Sequence, residues 1–210
     1  MLNEIMHFFG RAICHQLEDR SLLIDGKPLS VCARCTGIYI GIFSTLAYLH
    51  LFKRRANITI PSVKMSFFLL LLIVPMMMDG FGSYLNLFES NNVKRLITGI
   101  SFGLALPFFL YPLLSYKSLE VTSVPVIKKS REFIYPLLIS TFIGALTWWG
   151  KIPYLILNGL MVTIIIIWFS LCLSFLFARF RTNRMKWTFS AFSSLVFLSI
   201  LSLLHQLVLA

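Results

Sequence analysis

Long apolar runs determine what this chain of 210 residues can fold into. The runs extend over about residues 35–52, 65–79, 96–115, 133–149, 153–178 and 187–209. Roughly 20 apolar residues are enough for a helix to cross a bilayer. Charged residues make up only 13% of the chain, against about 25% in soluble domains. We therefore predict an all-α, polytopic integral membrane protein with about six transmembrane helices.

These runs leave little chain for a separate soluble domain. We expect one membrane domain over residues 1–210, with a six-span bundle at residues 35–210 and an extracytoplasmic Cys/His segment at residues 1–34. The first residues of this segment carry apolar side chains at helical spacing: Leu2, Ile5, Met6, Phe9 and Ile13. This spacing predicts a short amphipathic helix, either lying on the membrane surface or packed on the bundle.

The net charge of +11 has two interpretations, nucleic acid binding and membrane topology. Basic residues cluster in alternate loops: Lys53, Arg54, Arg55 and Lys64 in the first, Lys117, Lys128, Lys129 and Arg131 in the third, Arg179, Arg181, Arg184 and Lys186 in the fifth. The positive-inside rule places such loops in the cytoplasm. We therefore expect an inner-membrane protein with both termini extracytoplasmic, with the lipid bilayer as its partner and no nucleic acid.

Three of the four cysteines lie in two short motifs before the first apolar run. Cys14 and His15 are adjacent, and Cys32 and Cys35 form a Cys-x-x-Cys pair. The turn signals Asp25-Gly26 and Pro28 predict a hairpin-like loop that folds the first motif back onto the second. Because the second motif begins the first span, the positive end of the helix dipole and the neighbouring Arg34 favour thiolate over thiol.

These residues allow three kinds of site. Two thiolates of a Cys-x-x-Cys pair, completed by Cys14 and His15, would form a tetrahedral site for zinc or iron. Since adjacent side chains rarely point at the same ion, one of Cys14 and His15 is expected to serve another role. In a redox interpretation Cys32 and Cys35 exchange disulfides and Cys14 is a resolving or substrate thiol. The third alternative is a structural disulfide.

A second group of polar residues is expected on the same side as the cysteines. Asp79 ends the second span, and Asn92 and Arg95 lead into the third. Ionisable residues at membrane depth often mark functional sites. Asp79 would act as a general base, as a metal ligand or as the ion-pair partner of Arg95, and Arg95 would bind a carboxylate or phosphate. His205, near the outer end of the sixth span, is a further candidate ligand.

Glycines at a spacing of four recur in two spans. Gly37 and Gly41 lie in the first, and Gly99 and Gly103 in the third. Small residues at this spacing let helix backbones approach closely in membranes. The pattern predicts close helix contacts at these two spans.

The polar motifs together resemble a known family. The matching residues are Cys14-His15-Gln16, Arg20-Ser21, CARCTGIYIG from Cys32 to Gly41, Asp79-Gly80, Asn92, Arg95, Thr98-Gly99 and Gly103. In these the chain resembles the predicted membrane proteins of domain-of-unknown-function family 2085, over about residues 10–105. The family has no assigned activity, but the resemblance implies that the motifs form one unit. It adds Arg20 and Thr98 to Asn92 as candidate substrate-binding residues.

The sequence favours a metal site with Asp79 and Arg95 as candidate catalytic residues. A metal-bound water would suit hydrolysis or transfer on a small or lipid-linked substrate. The first alternative is a membrane thiol-disulfide oxidoreductase. The second is a carrier, for which spans four to six offer few polar groups.

Overall fold

The computed structural model describes residues 1–53, 57–85, 87–114, 123–129, 131–178, 180 and 182–209. Its helices, in chain order, are α1 (Leu2–Arg11), α2 (Ala33–Tyr48), α3 (Val63–Leu71), α4 (Val74–Tyr84), α5 (Asn92–Leu113), α6 (Arg131–Trp148), α7 (Tyr154–Leu173) and α8 (Asn183–Leu209). Its strands are β1 (Ser21–Ile24), β2 (Lys27–Cys32), β3 (Ile58–Thr59) and β4 (Val124–Pro125). The predicted all-α fold class is confirmed.

Over the described ranges, five helical segments have the length and hydropathy to cross a bilayer: Ala33–Lys53, Val63–Tyr84, Asn92–Leu113, Tyr154–Leu173 and Asn183–Val208. They match five of the six expected spans. The fourth expected span coincides with α6, which begins with the charged pair Arg131 and Glu132 and is not one of these five. An integral multi-pass membrane protein is therefore supported.

Membrane orientation stays a prediction. Five of the basic residues on which the topology argument relies lie outside the described residues: Arg54, Arg55, Lys117, Arg179 and Arg181. The chain divides into two compact units, one of Met1–Cys32 with Gly150–Ala210 and one of Ala33–Trp149. The single membrane domain likewise stays a prediction.

In the first unit, α1 packs on α7 and α8. A β-hairpin packs on α1 and α7 through its second strand. Strands β1 and β2 pair antiparallel, and Asp25 and Gly26 turn between them with φ of 52° and 72°, as the turn signals predict. Helix α1 lies so close to β2 that a Cβ atom at Gly10 would be 2.1 Å from the Ser30 carbonyl oxygen. The amphipathic stretch is therefore a helix packed on the bundle.

In the second unit, α2 and α5 pack along each other. Gly37 lies against Leu96, and Gly41 against Ile100 and Leu104 further along, so the two helices run parallel. The close contacts predicted from the glycine spacing are confirmed. Helix α6 packs on both α2 and α5, and α4 packs on α5.

The second apolar run forms two consecutive helices rather than one. Helix α3 ends at Leu71 and α4 begins at Val74, followed directly by Pro75. Proline is tolerated in the first turn of a helix because its missing N–H is not needed there, whereas further inside a helix it removes a hydrogen bond and its ring crowds the preceding turn. The break therefore lies where the sequence places the proline.

Candidate functional site

The hairpin brings Cys14 and Cys32 together, as the turn between the two motifs predicts. Cys14 follows α1, where its N–H donates to the Gly10 carbonyl oxygen at 3.1 Å, and its side chain is buried. The backbone N–H of Cys32 donates to Cys14 Sγ at 3.1 Å, and the two sulfur atoms lie within 4.8 Å of each other. A donated N–H stabilises negative charge on sulfur, which is the form that binds metals.

Cys35 follows Cys32 in the first turn of α2, as the sequence predicts. Exposed backbone N–H groups at this end of a helix favour the thiolate form. The neighbouring Arg34 contributes less than expected, because its guanidinium forms a short ion pair with the Asp79 carboxylate. Its charge is therefore shared with an acid.

The three residues of the Cys-His-Gln motif contact three different partners. Cys14 faces Cys32, whereas the His15 ring lies edge-on to the His205 ring, with centroids 4.8 Å apart. The Gln16 amide donates to the carbonyl oxygens of His7 and Ser30 at 2.7 and 2.8 Å. Adjacent side chains therefore point apart, as expected.

His205 lies beside the Cys-His-Gln motif, at the C-terminal end of α8. Its Nδ1 is 2.6 Å from the Arg11 carbonyl oxygen, and Arg11 Nη1 donates to Gln206 Oε1 at 3.0 Å. These contacts hold the C-terminal end of α1 against the C-terminal end of α8. His205 therefore lies beside His15, and its role as a ligand stays a prediction.

Asp79 does not pair with Arg95, the ion-pair partner that the sequence suggested. The carboxylate of Asp79 is 6% exposed and accepts hydrogen bonds from Arg34 at Oδ2 and from the Ser90 hydroxyl at Oδ1. Arg34 is the second residue of α2, and its side chain reaches Asp79 in α4. Both oxygens of Asp79 are engaged in hydrogen bonds, which favours a structural role over that of a general base. Its catalytic role stays a prediction.

The remaining candidates have local partners. Arg95 is buried and donates from Nη1 to the Asn92 side chain at 3.1 Å. The Thr98 hydroxyl donates to the Lys94 carbonyl oxygen of its own helix at 2.9 Å. Arg20 lies in a 3-10 turn, 3.6 Å from its neighbour Asp19. Substrate binding by Arg20, Asn92 and Thr98 stays a prediction.

A buried polar contact at Asn158 was missed from sequence. The fully buried side chain of Asn158 accepts from both the backbone N–H and the hydroxyl of Ser30, and its amide donates to the Tyr154 hydroxyl at 3.1 Å. It fixes β2 against α7. Asn158 is the strongest polar interruption of the fifth apolar run, and that interruption was the available signal.

His7 extends this polar contact to α1. Its Nε2 lies 3.3 Å from the Tyr154 hydroxyl. Burial, and then the nearby positive charge of Arg11, lower the pKa of His7 below its usual value. The neutral imidazole is therefore the form that suits the folded protein.

Comparison with known proteins finds uncharacterised relatives. A family model described as "Predicted membrane protein (DUF2085)" matches residues 14–109. An uncharacterised protein of Methanothermobacter thermautotrophicus is 38% identical over 96 residues, which cover 46% of this chain and 82% of that protein. Another, of Methanocaldococcus jannaschii, is 36% identical over 101 residues, or 48% of this chain, and the match spans 63% of that protein. No solved structure matches.

Proposed function

The chain belongs to the DUF2085 family of predicted membrane proteins, and we propose that it binds one zinc or iron ion through Cys14, Cys32 and Cys35. The observation that carries the proposal is the approach of Cys14 and Cys32, whose sulfur atoms lie within 4.8 Å across the hairpin. Cys35, three residues beyond Cys32 at the start of α2, supplies the second thiolate of a Cys-x-x-Cys pair. Such pairs are common in zinc sites.

Three protein ligands leave one coordination position open. His15 faces His205 rather than Cys32, so we assign the fourth position to water or to a substrate. Zinc sites with three protein ligands and a water are typical of catalysis, whereas sites with four protein ligands are typically structural. A metal held by Cys14, Cys32 and Cys35 would supply Lewis-acid activation of water, and we propose hydrolysis or transfer on a small or lipid-linked substrate as the activity of such a site.

Metal analysis of single cysteine variants tests the proposal. The detergent-purified protein is expected to hold about one equivalent of zinc or iron. Cys14→Ser, Cys32→Ser and Cys35→Ser are each expected to abolish binding. Cys172→Ser is the matched control, because Cys172 lies near the C-terminal end of α7, whereas α7 contacts β2 at Asn158 near its other end. It is expected to retain the ion.

The same preparations distinguish metal binding from redox chemistry. Thiols counted after denaturation should equal the number of cysteines, four, if the site holds a metal. A metal-free protein with a disulfide among Cys14, Cys32 and Cys35 that equilibrates with a thiol donor would refute the metal proposal and favour a thiol-disulfide oxidoreductase. Retention of the ion by all three serine variants would also contradict it.

A further inference from the structure

A basic cavity lies at the end of the second unit where α2 finishes. The cavity has a volume of about 570 Å³ and is lined by the short parallel pair of β3 and β4 and by the turn before α6. Among the described residues that line it are three lysines, Lys53, Lys128 and Lys129, and one carboxylate, Glu132. The lining therefore has an excess of positive charge.

The Glu132 carboxylate pairs with Lys53 and also accepts hydrogen bonds from the turn that carries Lys128 and Lys129. Its Oε1 accepts from Lys53 Nζ at 2.5 Å, and its Oε2 accepts from the backbone N–H of Lys128 at 2.5 Å and of Lys129 at 3.4 Å. Ammonium and consecutive backbone N–H groups are donors that proteins use for phosphate. In this cavity such donors surround the carboxylate of Glu132. The exposed residues Lys128 and Lys129 lie beside it.

The position of the cavity favours a membrane-associated ligand. It lies beside Lys53, the last residue of the apolar segment Ala33–Lys53, which is long enough to cross the bilayer. The positive-inside rule assigns this end to the cytoplasmic surface. Anionic lipid headgroups are concentrated there and attract lysines near the surface.

We propose that this cavity binds a phosphate group through Lys128 and Lys129, with an anionic phospholipid headgroup or a free phosphate compound as its source. Glu132 positions the two lysines and holds Lys53, so one phosphate would be met by two positive charges. A neutral or zwitterionic headgroup has no net negative charge and should therefore bind this positively charged lining less tightly. The proposal is independent of the cysteine site.

Native mass spectrometry of the detergent-solubilised protein tests this, with short-chain phosphatidylglycerol, short-chain phosphatidylcholine and inorganic phosphate as probes. Wild type should bind phosphatidylglycerol more tightly than phosphatidylcholine. The double variant Lys128→Gln/Lys129→Gln should weaken phosphatidylglycerol binding about 25-fold, since each lysine near an anionic surface contributes a factor of about five.

Lys94→Gln is the matched control. Lys94 is exposed at the start of α5, which lies beside the start of the parallel α2 and thus at the opposite end of the unit from Lys53. This variant should bind phosphatidylglycerol as wild type does. Equal loss in both variants would show nonspecific surface attraction and overturn the proposal, as would binding of neither phosphatidylglycerol nor phosphate by wild type. Lysine-dependent binding of phosphate but not of phosphatidylglycerol would support the site and identify a free phosphate compound as its ligand.

Discussion

The close contact between α2 and α5 predicts that a Gly→Ala substitution destabilises the protein at Gly103, whereas the same substitution stabilises it at Gly80. A Cβ atom at Gly103 would lie 2.0 Å from the Ile38 carbonyl oxygen, whereas ordinary contacts begin at 3.4 Å. Gly103→Ala therefore requires the two backbones to separate by about 1.4 Å. Overpacking of this kind costs about 1–3 kcal/mol, and alanine returns about 1 kcal/mol of helix propensity. Because the clashing atom belongs to the backbone and cannot rotate away, we take an overpacking cost of about 3 kcal/mol. The free energy of unfolding should therefore fall by about 2 kcal/mol once the gain in helix propensity is subtracted.

Gly80→Ala is the control for this prediction. Gly80 lies inside α4, and a Cβ there would have no atom within 4 Å. The substitution should therefore stabilise the protein by about 0.5–1 kcal/mol through helix propensity alone. Titration of both detergent-purified variants with sodium dodecyl sulfate, followed by circular dichroism, measures the difference. Equal shifts in the same direction would refute the close approach of α2 and α5.

Three further predictions concern buried or partly buried polar groups and use the same unfolding assay. Asp79→Asn leaves the Arg34 guanidinium without its carboxylate and should cost about 3 kcal/mol, much of which the added change Arg34→Gln should recover. Asn158→Leu removes the acceptor of two Ser30 hydrogen bonds and should cost about 2 kcal/mol. Because burial lowers the pKa of His7, stability should be full above the pKa of the unfolded chain and fall as pH drops below it. His7→Gln should reduce that slope, and an unchanged slope would exclude His7 as its cause.

The sequence was most informative where one local signal determined the structure. Apolar runs of sufficient length predicted the spans, because a bilayer requires every backbone group to be satisfied within the helix. Asp25 and Gly26 predicted the turn that brings Cys14 to Cys32, because both residues tolerate the left-handed conformation found there. The glycine spacing predicted close packing because it specifies the surface on which two backbones meet.

Pairings distant in sequence were not predictable in the same way. Asp79 pairs with Arg34, a residue 45 positions earlier, and the sequence suggested Arg95 only because it begins the next span. The choice between two arginines depends on which helix ends meet and on where the side chains reach, neither of which a single sequence encodes locally. Asn158 was missed for the same reason, since its partner Ser30 is 128 positions away.

The parallel packing of α2 and α5 has a consequence for how the chain enters the membrane. Gly37 of α2 and Gly99 of α5 both lie in the contact between these helices. About 60 residues must therefore be synthesised after Gly37 before the partner of α2 exists, which takes about 3–12 s at elongation rates of about 5–20 residues per second. During that interval the glycine face of α2 is exposed to lipid or to the insertion machinery. A ribosome stalled ahead of Gly99 would therefore hold a nascent chain whose first span lacks its partner.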